Sequence, residues 1–169
     1  MLTQNLYQTS IDFLERSPQK RLLILKEMGL ARYAGFLTIM PLAEANIACI
    51  MRFFSNPTKA KFPKLQGTEL SGLVLDGVNF IRGDLSRANL SNSSLVDADL
   101  IFANFTNANL SKANLQGSTL NETLWDSAIV ENCNFGVGIG ITNKQRQELI
   151  SCGAIFSDNS IKQGMVGKK

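Results

Sequence analysis

The sequence predicts a mainly β protein whose central body is a square coil of short extended segments, with helices at both ends. A large apolar residue stands at every fifth position from Leu65 to Phe135, fifteen times in a row. The position two residues before each of them is mostly small. The segments before and after this run carry helix start and stop signals instead.

A five-residue period fits neither an α-helix nor a flat strand. In a helix, successive fifth residues rotate by about 140° and never form one stripe. In a strand, side chains five residues apart point to opposite faces, because five is an odd number. The chain must therefore turn once per repeat. A bend of about 90° per repeat gives four repeats per coil, with neighbouring coils paired about 4.8 Å apart.

The repeat also assigns the inside and outside of about four coils. The large residues form an inward ladder: Leu65, Leu70, Leu75, Phe80, Leu85, Leu90, Leu95, Leu100, Phe105, Leu110, Leu115, Leu120, Trp125, Val130 and Phe135. The small position two residues earlier shares their face. Between the two stands a residue suited to turns, often Asn or Asp: Asn79, Asp84, Asn89, Asp99, Asn104, Asn109, Asn114 and Asn134.

Two to four helices are predicted before the coil. The first uses the apolar residues Leu2, Leu6, Ile11, Phe13 and Leu14. A second begins with Ser17 as N-cap and Pro18 in the first turn, and Gly29 can end it. A further helix starts at Pro41 and ends near residues 55–57.

A short helix is predicted after the coil. Thr142 with Gln145 three residues later forms a capping box, so a helix should span residues 143–151 and stop near Gly153. The sequence thus predicts three regions. Residues 1–62 form an N-terminal helical cap, residues 63–136 form the repeat coil, and residues 137–169 form a C-terminal capping helix and tail. An open coil end exposes unpaired strand groups, so helices should cover each end.

Two apolar residues interrupt the Asn or Asp position near the end of the coil. Leu124 and Ile129 stand where a polar residue is usual. We expect the C-terminal cap to cover both side chains.

The runs Ala88–Asn92, Ala108–Lys112 and Ala113–Gly117 resemble the pentapeptide-repeat family, over residues 63–136. That resemblance implies a right-handed quadrilateral β-helix. The segment from Gly138 to Phe156 resembles the C-terminal ending of many cyanobacterial members.

The resemblance also implies binding rather than turnover. The expected function is a protein–protein scaffold, an assembly or regulatory adaptor for a cyanobacterial photosynthetic complex or for cell differentiation. A second hypothesis is that the chain is a DNA mimic that modulates type II topoisomerase. A third is a membrane-surface adaptor.

No catalytic, cofactor or metal site is predicted. The chain has no histidine, which removes histidine general bases, Ser-His triads and the usual zinc sites. Asp97 and Asp99 fall at a corner and mid-face, a poor geometry for acid–base chemistry. No small-molecule substrate is expected, and a nucleic-acid partner is disfavoured because the aromatic residues of the repeats mostly point inward.

The charges alternate along the chain. Residues 1–65 carry nine Lys and Arg against four Asp and Glu, residues 66–140 three against eight, and the remainder five against two, giving +5, −5 and +3. A solvated surface explains this pattern, and the acidic middle matches DNA mimicry in part. The basic N-terminal helices could instead contact an anionic membrane.

No signal peptide is visible, and three cysteines without paired spacing favour a reducing compartment. The expected location is the cytoplasm, with the cytoplasmic face of the thylakoid membrane as a second setting.

One surface column departs from the polar exterior. Ile81 and Ile101 follow inward ladder residues where Ser, Thr or Asp usually stands, and Phe102 stacks over Arg82 beside them. Val96 at the adjacent corner would extend this patch. Either a protein partner docks on these five residues, or the N-terminal helices fold back over them.

Overall fold

The computed structural model describes residues 2–157, with side chains from residue 4 onward. Within these residues, five α-helices flank the coil: α1 (Leu2–Glu15), α2 (Pro18–Glu27), α3 (Ala34–Leu37), α4 (Glu44–Ser55) and α5 (Asn143–Ser151). Short 3-10 helices span Ala31–Tyr33 and Pro57–Lys59. The Leu2 side chain and the predicted tail at residues 158–169 lie outside the described part.

The coil stacks through parallel bridges between residues one coil apart. Eleven of the twelve bridges join residues separated by twenty positions, as in the column Lys64, Asp84, Asn104 and Leu124. Four repeats per coil are therefore confirmed. The bridges are isolated and no continuous strand occurs between residues 2 and 157, so the description as mainly β was too strong. The right-handed sense stays a prediction.

Left-handed residues explain why the strands are interrupted. Every repeat from Gly67 to Asn132 has positive φ at its corner, and ten of these residues are not glycine, with φ between 54° and 59°. The Asn or Asp before each corner stabilises the bend. In all eight predicted residues the side-chain oxygen accepts a hydrogen bond from the backbone N–H two residues on.

The predicted ladder fills the interior of the coil. Fourteen of its fifteen side chains are buried, and Trp125 is half-buried. The Trp125 ring nonetheless points inward, because it stacks on Phe105 with ring centroids 4.6 Å apart. The apolar core therefore runs the length of the coil.

Helix α4 covers the first edge of the coil. The Asn46 side chain donates to the carbonyl of Glu69 and accepts from the Glu69 N–H, both at 2.9 Å. Beside it, Phe36 of α3 packs on the ladder residue Phe80, with ring centroids 5.1 Å apart. The N-terminal helices thus continue the core of the coil.

Helix α4 begins at Glu44, so the predicted start at Pro41 was wrong. Ala43 is extended, with φ −151° and ψ 151°. The Pro41 carbonyl accepts a hydrogen bond from the Asn46 amide at 2.9 Å instead of starting the helical ladder. The proline signal marked the approach to the helix rather than its first turn.

The C-terminal segment closes the other end. Thr142 and Gln145 form the predicted capping box of α5, and Leu149 is buried. After the helix, Ile155 bridges to Asn134 and adds a further level to one face. Phe156 then stacks on Phe135, with ring centroids 4.8 Å apart.

The predicted cover over Leu124 and Ile129 was wrong. Leu124 is 52% exposed and Ile129 is 53% exposed. Both lie at the bridging position, whose side chain points outward from a face of the coil. Helix α5 lies across the end of the coil, where the Gln145 amide donates to the Thr123 carbonyl, and it leaves the outer faces open.

Candidate protein-binding surface

Three side chains stack along one corner of the coil and form what we call the corner column: Phe62, Arg82 and Phe102. The Arg82 guanidinium carbon lies 4.6 Å from the centroid of the Phe102 ring and 5.7 Å from that of Phe62. Each position lies twenty residues from the next, and the Arg82 N–H donates to the Ile101 carbonyl at 2.9 Å to hold two levels in register. The cation is therefore placed between two aromatic rings.

Both aromatic rings face solvent. Phe62 is 47% exposed and Phe102 is 46% exposed. Two exposed aromatic residues with an arginine between them match the residue types that carry binding energy at protein interfaces.

Phe102 occupies an unfavourable backbone conformation. Its φ of 59° falls in the left-handed region, which a bulky residue rarely adopts and which Asn or Gly tolerates. Some equivalent corners carry Asn, as at Asn92, or Gly, as at Gly72, but Lys112 and Glu122 show that longer side chains also occupy this conformation. A phenylalanine here costs stability of about 1 kcal/mol.

Ile81 and Ile101 lie beside the corner column and are half-buried. Ser86 and Ser91 are equally half-buried at the same repeat position on other faces. The partial burial of the isoleucines therefore reflects stacking between levels. Among the described residues, neither isoleucine packs against the hydrophobic core that the N-terminal helices share with the coil.

Val96 lies in a different column from the other four predicted site residues. The Gly77 N–H donates to the Val96 carbonyl, and the Asp97 N–H donates to the Gln116 carbonyl, so Val96 stacks between levels at the preceding corner. Its own N–H donates to the Asp76 carboxylate at 3.0 Å. The structure brings Ile81, Arg82, Ile101 and Phe102 together and leaves Val96 on a polar column.

Sequence reasoning missed Phe62. In the sequence, Phe62 falls at the end of the N-terminal region, residues 1–62, one residue before the predicted repeat segment. The repeat spacing could have identified it, because Phe62 precedes Arg82 by twenty residues, the length of one coil, and residues so spaced lie on the same corner.

Within residues 2–157, no group of three or more Cys, Asp or Glu side chains could hold a metal ion. Burial raises the pKa of the Cys49 thiol to about 12, partly offset by Arg52, and burial raises the pKa of Cys133 to about 12. Both thiols are therefore unreactive, and Cys152 is the exposed cysteine.

Several acidic residues of the repeats accept hydrogen bonds within the coil. Asp99 accepts from the Thr119 hydroxyl at 2.9 Å, and Asp84 accepts from the Gln66 amide at 2.7 Å. Burial alone would raise the pKa of Glu69, but hydrogen bonds from Ser71 and Asn89 outweigh it and hold that pKa below its usual value. These carboxylates support the turns of the coil.

Comparison with known proteins agrees with the repeat geometry. The family model for pentapeptide repeats matches residues 61–92 and 84–121, with eight copies. A comparison with curated proteins finds no significant match.

Solved structures of pentapeptide-repeat proteins are also similar. One from the thylakoid lumen of Arabidopsis thaliana is 28% identical, with a TM-score of 0.49, over 62% of this chain and 68% of that one. HetL of the cyanobacterium Nostoc, involved in heterocyst differentiation regulation, is 30% identical, with a TM-score of 0.27, over 41% of this chain and 37% of HetL.

A further pentapeptide-repeat protein of Nostoc is 22% identical, with a TM-score of 0.33, over 63% of this chain and 94% of that one. The assignment of the repeats rests on the family match, which covers residues 61–121. Residues 61–121 of this chain are therefore pentapeptide repeats, which confirms, over these residues, the resemblance predicted for residues 63–136.

Proposed function

We propose that the chain is a non-enzymatic protein-binding adaptor that docks a partner on the corner column and the adjacent Ile81 and Ile101. The observation that carries this proposal is the placement of Arg82 between two half-exposed aromatic rings on a rigid coil.

The proposal extends to setting. We propose an assembly or regulatory role in a cyanobacterium, at a photosynthetic complex or in cell differentiation, and a cytoplasmic location that includes the cytoplasmic face of the thylakoid membrane. The right-handed quadrilateral winding typical of pentapeptide-repeat proteins is part of the same proposal.

The test replaces Phe102 with asparagine, which suits the left-handed corner. Affinity purification from the source organism, read by mass spectrometry, should recover a partner with the wild-type chain and lose it with Phe102→Asn. The melting temperature should stay unchanged or rise, because the substitution relieves backbone strain.

Asn92→Gly is the matched control. It alters another left-handed corner and leaves the corner column untouched, so partner recovery should persist. Undiminished recovery with Phe102→Asn would show that the corner column is not the docking site.

A DNA mimic that modulates type II topoisomerase is the second candidate, favoured by the acidic repeat segment. Residues 66–140 carry eight Asp and Glu against three Lys and Arg. Four of the eight, Glu69, Asp76, Asp84 and Asp99, accept hydrogen bonds within the coil. The fold therefore accounts for these four carboxylates without DNA mimicry. If the mimicry holds, the purified chain should inhibit gyrase supercoiling at micromolar concentration, and inactivity there would remove this candidate.

A membrane-surface adaptor is the third candidate. No helix within residues 2–157 combines the length and apolar character that crossing a bilayer requires. Sedimentation with phosphatidylserine vesicles distinguishes contact with an anionic membrane, through the basic N-terminal region, from protein binding.

A further inference from the structure

A cavity of about 460 Å³ opens beside the corner column, between the end of α4 and the start of the coil. Four cationic side chains line it, Arg52, Lys59, Lys61 and Lys64, and no acidic residue does. Phe53 and Phe62 supply apolar lining. The cavity thus combines an apolar interior with a cationic rim.

The four cations have no counter-ion in the part of the chain that the structure describes, where the one salt bridge joins Lys144 and Glu148. Lys59, Lys61 and Lys64 are exposed. Arg52 donates through Nη2 to the Gln66 carbonyl at 3.1 Å, while its buried Nε has no partner. Concentrated positive charge of this kind favours an anionic partner.

The apolar lining gives that partner a second requirement. Both phenylalanine side chains line the cavity, and Phe53 is 2% exposed whereas Phe62 is 47% exposed. The volume lies within the range of about 300–1,000 Å³ found for binding pockets and can admit a large side chain. Phe62 also belongs to the corner column, so the two surfaces are continuous.

We propose that this cavity binds an acidic segment of the partner protein, with one apolar or aromatic side chain inserted between Phe53 and Phe62. Carboxylates flanking that side chain pair with Lys59, Lys61 and Lys64. This inference rests on the protein-binding function proposed above and assigns the chemistry of the partner. A concave site can receive a side chain of a partner protein. Binding to a flat lipid surface would instead require apolar residues of this chain to protrude into the lipid.

The test measures fluorescence anisotropy of labelled peptides with the full chain. The probe is acetyl-Glu-Asp-Glu-Phe-Glu-Asp-Glu, compared with the same peptide carrying Ala for Phe and with a version carrying Lys for every acid. The acidic phenylalanine peptide should bind tightest, and its affinity should fall as salt rises.

Two variants separate charge from apolar contact. Lys59→Glu with Lys61→Glu should weaken probe binding by about tenfold or more. Ser55→Trp, at the cavity wall, should fill the interior and make the Phe and Ala peptides bind equally. The matched control is Lys20→Glu with Lys26→Glu, two exposed lysines on α2, which should change affinity by less than about twofold.

Failure of the wild-type chain to bind the acidic phenylalanine peptide would overturn the proposal, as would equal weakening by the control pair. Sedimentation with phosphatidylserine vesicles that is lost with the Lys59 and Lys61 substitutions, without peptide binding, would also overturn it and assign a membrane role.

Failure of this inference can be told apart from failure of the proposed function. If the peptide does not bind while Phe102→Asn still abolishes partner recovery, the corner column is supported as the docking site and the cavity proposal is contradicted. If the cavity variants abolish peptide binding while Phe102→Asn leaves partner recovery unchanged, the cavity proposal is supported and the corner column is contradicted as the docking site.

Discussion

The place of a residue in the five-residue repeat decides whether its side chain lies in the core or on the surface. Fourteen of the fifteen ladder residues are buried, eight Asn or Asp residues accept a hydrogen bond from the backbone of the bend, and the corner residue is left-handed. The sequence could predict this assignment because every contact involved is either local or repeated at a fixed interval of twenty residues.

Leu95→Asp tests the register of the ladder. Leu95 is 0% exposed, so the substitution would bury a carboxylate with no partner, and we expect a loss of about 3–5 kcal/mol or more in the free energy of unfolding. Chemical denaturation followed by circular dichroism measures it. Asn92→Asp introduces the same charge at an exposed corner and should be close to neutral; an unaffected Leu95→Asp protein would mean that the register is wrong.

At the scale of the element, α4 takes the place of a missing coil. The Asn46 side chain offers a donor and an acceptor to Glu69, the same pair that the backbone of a preceding coil would offer. In the sequence, Asn46 only interrupts an apolar stretch, because its partner lies 23 residues away. Its capping role therefore depends on tertiary contact that local patterns do not reveal.

Asn46→Ala should destabilise the N-terminal edge of the coil. The Glu69 N–H and C=O would lose their partners, at a cost of about 1–3 kcal/mol in the free energy of unfolding. Amide hydrogen exchange by NMR should show lost protection at Glu69. The Asn89 N–H donates to the Thr68 carbonyl within the coil and serves as the internal control; equal loss there would point to general unfolding instead.

The same limitation explains the error over Leu124 and Ile129. An apolar residue at an outward position suggests a cover, but the sequence does not specify where the capping helix will lie. The path of α5 is set by Leu149 and by the Gln145 contact with Thr123. Those contacts direct the helix across the end of the coil.

At the scale of the whole molecule, the candidate site lies where the basic N-terminal region meets the coil. Ile81, Arg82, Ile101 and Phe102 could be proposed from the repeat, since they depart from its pattern. Phe62 and the cavity could not, because they depend on how the segment after α4 returns to the first coil. The joining of two regions with opposite charge creates a surface that neither region has alone.

The stacking of residues twenty apart also constrains how such a chain can change in length. Insertion or deletion of one five-residue repeat between Arg82 and Phe102 would preserve the core pattern but rotate everything beyond it by a quarter turn. Arg82 would then lie under a different corner residue, and the aromatic pairing would be lost. Insertion of a whole coil would return Phe102 to the corner of Arg82 but place a new residue between them, so natural variants that keep this surface should keep the length of this segment unchanged.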